Sequence, residues 1–206
     1  MKPLDAFLGK INPYAPGCAI PTAYSAIRDA AIEFCERTRL WRYEDEFAVS
    51  ADEAECIATP VGSVLLDIER AWFDGARLTP ATVDLLDKHM DGWRDGSLTG
   101  QPQYISQIEL NTLRLIPAQA GTVKLSLWLK PSQDCLDLPD FLADQYREVI
   151  AHGALGRLLM MPGQPYTNAD LGAGFLASFE RKLVGLSGKG VTGQQRARVR
   201  TKATYM

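Results

Sequence analysis

From Thr22 onward Ile27, Ala31, Phe34, Thr38 and Trp41 recur at steps of three and four, with Arg28, Asp29, Glu33, Glu36 and Arg37 between them. A helix gathers such positions on one stripe and leaves the charged residues in water, so the spacing predicts a helix over about 22–43 with one face that must be buried. The segment before it, Ile11 to Pro21, holds Pro13, Pro16, Gly17 and Pro21 and is expected to be a looped lead-in.

After Phe47 the period changes. Glu55 to Ala58 and Val64 to Phe73 are short β-rich runs broken by Gly62, and Asp74-Gly75 predicts a hairpin into Ala76-Arg77-Leu78. Thr79-Pro80 introduces a short helix with Val83, Leu85, Leu86 and Met90 as its apolar positions. Strands are expected at Gln103–Glu109, Thr112–Ile116 and Thr122–Leu129. In the last of these Val123, Leu125, Leu127 and Leu129 alternate with Lys124, Ser126, Trp128 and Lys130, which predicts one buried and one available face.

Two helices are expected to close the body. One runs over about 138–161, with Gly153 and Gly156 placed where another backbone comes close. The other runs over about 168–184 from an Asn168 N-cap. The expected class is α+β: an antiparallel helical bundle core, a β-rich insertion over about 47–131 within a body of residues 1–186, and an extended C-terminal arm over 187–206.

With 46% hydrophobic and 23% charged residues, 206 residues suffice for a real core. The charge is uneven. Residues 187–206 carry Lys189, Arg196, Arg198, Arg200 and Lys202 and no acid, so a net charge of −3 leaves about −8 on residues 1–186. Arg196, Arg198 and Arg200 alternate with Ala197, Val199 and Thr201. An extended chain therefore presents three guanidinium groups on one side, suited to adding as an edge strand, to threading an acidic groove or to contacting phosphate.

Catalytic and metal signatures are not expected. Cys18, Cys35, Cys56 and Cys135 form no CxxC pair, and His89 and His152 lie on different elements. The run Tyr43-Glu44-Asp45-Glu46 and the series Asp84, Asp87, Asp91, Asp95 each read as a solvated face. No apolar run reaches the roughly 20 residues of a membrane span, and Met1 to Asp5 opens no signal-peptide stretch, so assembly in a cytoplasm is expected.

The segment Ala26-Ile27-Arg28-Asp29-Ala30-Ala31-Ile32-Glu33-Phe34-Cys35-Glu36-Arg37-Thr38-Arg39-Leu40-Trp41 resembles the first helix of tailed-phage head-tail adaptor proteins, also called connectors or tail accessory factors. In the same order follow Leu78-Thr79-Pro80, Gly100-Gln101-Pro102-Gln103-Tyr104, Leu129-Lys130-Pro131, Leu138-Pro139, Gly153-Ala154-Leu155 and Met161-Pro162-Gly163-Gln164-Pro165-Tyr166. The order over about 25–170 is what makes the resemblance specific.

The resemblance implies a structural, non-enzymatic virion protein without metal or cofactor. It implies a twelve-fold ring of copies at the head-tail junction, docked on the portal and joined to tail or nozzle proteins, with DNA passing through unbound. The arm, with Lys189, Arg196, Arg198, Arg200, Lys202 and Tyr205, would reach the portal. Trp72, Phe73, Tyr104 and Trp128 are candidate anchors for lateral contact between copies, since aromatic residues are enriched at interfaces. The alternative is a nucleic-acid-binding accessory protein whose arm contacts phosphates. Under that alternative, binding to duplex DNA weakens steeply as salt rises; the absence of binding at low salt removes it.

Overall fold

The computed structural model describes residues 1–51, 55–95 and 97–192. In chain order it contains β1 (Lys2–Pro3), α1 (Asp5–Ile11), α2 (Ile20–Thr38), β2 (Arg42–Val49), β3 (Glu55–Cys56), β4 (Ser63–Phe73), β5 (Ala76–Arg77), β6 (Thr79–Pro80) and α3 (Val83–His89). There follow β7 (Tyr104–Ser106), β8 (Thr112–Ile116), β9 (Gly121–Pro131), β10 (Asp137–Leu138), α4 (Asp140–Gln145), α5 (Arg147–Leu159), α6 (Ala169–Leu186) and α7 (Lys189–Thr192). The chain divides into two units. One comprises Met1–Trp41, Val61–Val64 and Lys130–Met206; the other comprises Arg42–Pro60 and Leu65–Leu129.

This corrects the expected helical bundle core, although the α+β class stands. Among the described residues the strands form three sheets, with orders β1-β10, β2-β9-β4-β5 and β3-β8-β7-β6. The reason lies in β9, whose Val123, Leu125, Leu127 and Leu129 are all buried together with Ala71 and Phe73 of β4. Strands that bury this much apolar surface build a core of their own and do not hang from a bundle.

In the first unit, α2 buries Ala23, Ala26, Ile27, Ala30, Ala31, Phe34, Cys35 and Thr38 along one stripe. Thr38 is accommodated there because its hydroxyl donates to the Phe34 carbonyl at 2.7 Å. The helix ends earlier than position 43. Arg39 takes a left-handed conformation with φ 50°, and its N–H donates to the Cys35 carbonyl. The acidic run that follows is strand β2, antiparallel to β9 from Arg42↔Trp128 to Val49↔Gly121.

The helix expected over 138–161 is two helices, broken at Tyr146 (φ −123°, ψ 11°). The Tyr146 ring packs against Phe34 and Phe141, with centroids 4.9 and 6.4 Å away, and this packing stabilises the break. Helix α5 lies against α1, α2 and α6. Gly153 makes that approach possible, since a Cβ there would stand 3.0 Å from the Ala30 Cβ and 3.1 Å from the Phe179 ring. Asn168 caps α6 by accepting the Leu171 N–H at 3.1 Å. The arm expected to run extended from 187 begins instead with the helical turn α7.

In the second unit, Asp74 and Gly75 have φ of 45° and 82°, the two positive values of a tight hairpin turn, and Phe73 pairs with Ala76. A smaller apolar cluster of Leu86, Trp93 and Ile116, with Met90, Leu98 and Tyr104 packed on it, seats α3 against β7 and β8.

Two measurements test this packing. Gly174 on α6 has open space around it, so Gly174→Ala raises stability by about 1 kcal/mol. A side chain at Gly156 overlaps Leu176, so Gly156→Val lowers stability by about 1–3 kcal/mol. Urea unfolding midpoints read both. His152 on α5 sits 3.1 Å from the Ser178 hydroxyl and packs on Phe175. Burial holds its pKa below the ordinary histidine value; Lys182 and Lys10 act in the same direction and Glu148 opposes them. The unfolded chain therefore binds this proton more readily. The contribution is complete above about pH 6.5 and is lost as pH falls through the depressed value. The expected result is a urea midpoint that declines from pH 7.5 to 5.5, with a shallower decline in His152→Gln.

Candidate interaction face

The sheet β2-β9-β4-β5 positions the candidate site. Along β2 the outward residues are Arg42, Glu44, Glu46 and Ala48, alternating with half-buried Tyr43, Asp45 and Phe47. The register places Glu46 opposite Lys124 and Glu44 opposite Ser126. Beside them β4 contributes Arg70 and Trp72, and the hairpin turn contributes Asp74. These side chains line a hollow of about 670 Å³.

Three carboxylates and two cations therefore surround one half-buried indole. Lys124 Nζ reaches Glu44 Oε2 at 2.9 Å, and the hydrogen bond to Glu44, with Glu46 nearby, holds the ammonium pKa above the usual lysine range. Asp74 is fixed from both sides, its carboxylate accepting the Thr122 N–H and its own N–H donating to the Thr122 carbonyl, each at 2.9 Å. An exposed hollow with surplus carboxylate and an aromatic wall can hold a basic side chain.

The four aromatic residues expected at a lateral interface are not brought together. Phe73 is 1% exposed and Trp128 5% exposed, so both belong to the core. The Phe73 ring fills the space over Gly121, where a Cβ would overlap it. Trp128 is covered by the Arg42 guanidinium, 4.5 Å from the ring centroid, and Arg42 is held in turn by Glu69 at 2.8 Å. Glu69 also accepts from the Ser126 hydroxyl at 2.7 Å. The supposedly available face of β9 is thus open at Thr122 and Lys124 and partly at Lys130, and closed at Ser126 and Trp128. Trp72 lines the hollow, and Tyr104 packs on the Trp93 cluster in another sheet.

Of the arm residues, Lys189 is exposed on α7, whereas Arg196, Arg198, Arg200, Lys202 and Tyr205 lie outside the described residues. Gly190 is buried against the end of α2, where a Cβ would overlap the carbonyl oxygens of Thr38 and Arg39. Sequence reasoning placed this glycine only within the arm over 187–206. It also missed a cationic stack: the guanidinium groups of Arg94 and Arg114 lie 4.7 and 5.4 Å from the Trp93 ring centroid. Asp87 accepts from Trp93 Nε1 at 2.9 Å and from Arg94 at 2.7 and 3.0 Å. These bonds, Arg94 foremost, hold its carboxyl below the ordinary range.

Among the described residues no three His, Cys, Asp or Glu side chains are grouped as a metal site requires. None of the described helices is long and apolar enough to cross a membrane. Comparison with known families supplies the class of protein. Residues 7–203 match the SU10 adaptor protein family, and the chain belongs to it. This is a family of phage head-tail adaptors, which makes the chain a structural component of a phage particle and supports a role other than catalysis. No curated protein matches it.

Proposed function

We propose that copies of this chain assemble side by side into a ring, twelve-fold by the family resemblance, that docks on the portal and joins it to the tail. The observation that carries this reading is the family match, which spans both units from residue 7 to 203. Two features are consistent with it. The wet end of the β2-β9-β4 face offers a partner three carboxylates and an indole, and Trp72 and Tyr104 keep part of their surface for lateral contact. The net −8 of residues 1–186 opposes phosphate binding, which suits a passage through which DNA moves without adhering.

Native mass measurement of the full chain, alone and with purified portal, tests the proposal. A closed multiple of the 22.7 kDa subunit on the portal is the expected result. A chain that stays a single copy under both conditions, or rings that ignore the portal, overturns it.

A further inference from the structure

We propose that Asp91 is a site of spontaneous main-chain modification, at which the side-chain carboxyl and the Gly92 amide close to a cyclic imide that reopens as isoaspartate beside Trp93.

The chain holds three Asp-Gly pairs, at 74–75, 91–92 and 95–96. Glycine has no Cβ to hinder the approach of a neighbouring group to its amide, so each pair could undergo this chemistry on sequence alone. In the first step the glycine nitrogen attacks the carbon of the protonated side-chain carboxyl. A C–N bond forms, the C–OH bond breaks, and the hydroxyl and the amide hydrogen depart together as water. Water then opens the imide at either carbonyl. One opening restores aspartate; the other leaves isoaspartate, in which the main chain runs through the side-chain carbon. The water released is taken up again, and nothing is oxidised or reduced.

Structure separates the three pairs, because the carboxyl must be free to turn and the backbone between the reacting atoms must rotate. Asp74 is held against both movements. Its carboxylate accepts the Thr122 N–H and its own N–H donates to the Thr122 carbonyl, each at 2.9 Å, inside the hairpin closed by Phe73 and Ala76. Asp95 is held at its carboxylate, which accepts the Ser97 N–H at 3.3 Å. Hydrogen bonds from Ser97 keep that carboxyl below the ordinary range, in the ionised form that lacks a hydroxyl to expel.

Asp91 carries neither restraint. It is exposed where the chain leaves α3, and among the described residues neither its carboxylate nor the Gly92 N–H has a hydrogen-bond partner. Gly92 stands at φ 79° in a turn closed by the Trp93 N–H donating to the Met90 carbonyl at 3.4 Å. The Ser97 hydroxyl adds a bond to the Gly92 carbonyl at 3.2 Å. Both bonds are longer than the pair that fixes Asp74, so the rotation that brings amide and carboxyl together meets less resistance here.

The product changes a packed neighbour. Trp93 is 4% exposed, packs with Leu86 and Ile116, and donates through Nε1 to Asp87 at 2.9 Å. One more main-chain carbon at position 91 shifts the indole against a cluster that has no slack to absorb it.

Ageing of the full chain in warm, mildly acidic buffer tests the proposal. Trypsin places the three pairs in separate peptides, 71–77, 89–94 and 95–114, and isoaspartate-specific backbone fragments report each one. In the folded protein isoaspartate is expected at Asp91 about tenfold or more faster than at Asp74 or Asp95, and in urea the three rates are expected to converge. Equal rates in the folded protein, or a faster reaction at Asp74 or Asp95, overturn the assignment. A preference for Asp91 that persists unchanged in urea overturns the structural cause. Asp91→Glu, which would need a larger and slower-forming ring, is expected to give no product at this position and to keep its urea midpoint on ageing, while the midpoint of the unaltered chain falls. A constant midpoint in unaltered protein that has isomerised at Asp91 overturns the effect on the Trp93 cluster.

Discussion

The sheet unit depends on β9. Its apolar row has to leave water, and β2 and β4 flank it on the two sides. The same strand also buries Ser126 and Trp128 from its other row, which requires polar compensation. Glu69 accepts from Ser126 and from Arg42, and Arg42 lies over the indole. A carboxylate that is only 17% exposed is tolerable because both of its oxygens are engaged. Past Ser126 no such cover exists, so the sheet opens at Lys124 and Thr122, and the hollow is where that cover stops.

The helical unit is organised by close approach. Gly153 admits Ala30 and Phe179, Gly156 admits Leu176, and Gly172 brings α6 up to the Gly156 carbonyl. Helices that meet through glycine trade local helix propensity for packing, and displacement of one element then disturbs the others. Arg157 adds polar ties by donating to the Gly153 carbonyl at 2.8 Å and to Glu33 of α2. The Arg37 contact with Glu180, at 2.6 Å, links α2 to α6 in the same way, although its exposure keeps its worth small.

For an adaptor, this arrangement separates two tasks. Apolar burial holds each unit together, while a face with surplus carboxylate and one half-buried indole stays open to water and is the candidate for recognition. Charged edges also discourage indiscriminate strand pairing.

Much of this was legible in the residues. The stripe from Ile27 to Thr38, the Asp74-Gly75 turn, the Asn168 cap and the β9 alternation each follow from short-range rules, because spacing and turn chemistry act over a few residues. The order of motifs from Ala26 to Tyr166 likewise pointed to the family. What the residues alone did not decide was which polar-looking positions would be covered. Ser126 and Trp128 stand in the alternation as surface and end in the core, Glu44 to Glu46 read only as a solvated face and form a strand, and Tyr146 breaks a helix whose apolar period runs through it. Each outcome depends on partners distant in sequence: Glu69 and Arg42, the β9 ladder, and Phe34. Local pattern determines what an element can be, and only tertiary contact decides which of its faces water reaches, because burial is a property of the neighbours.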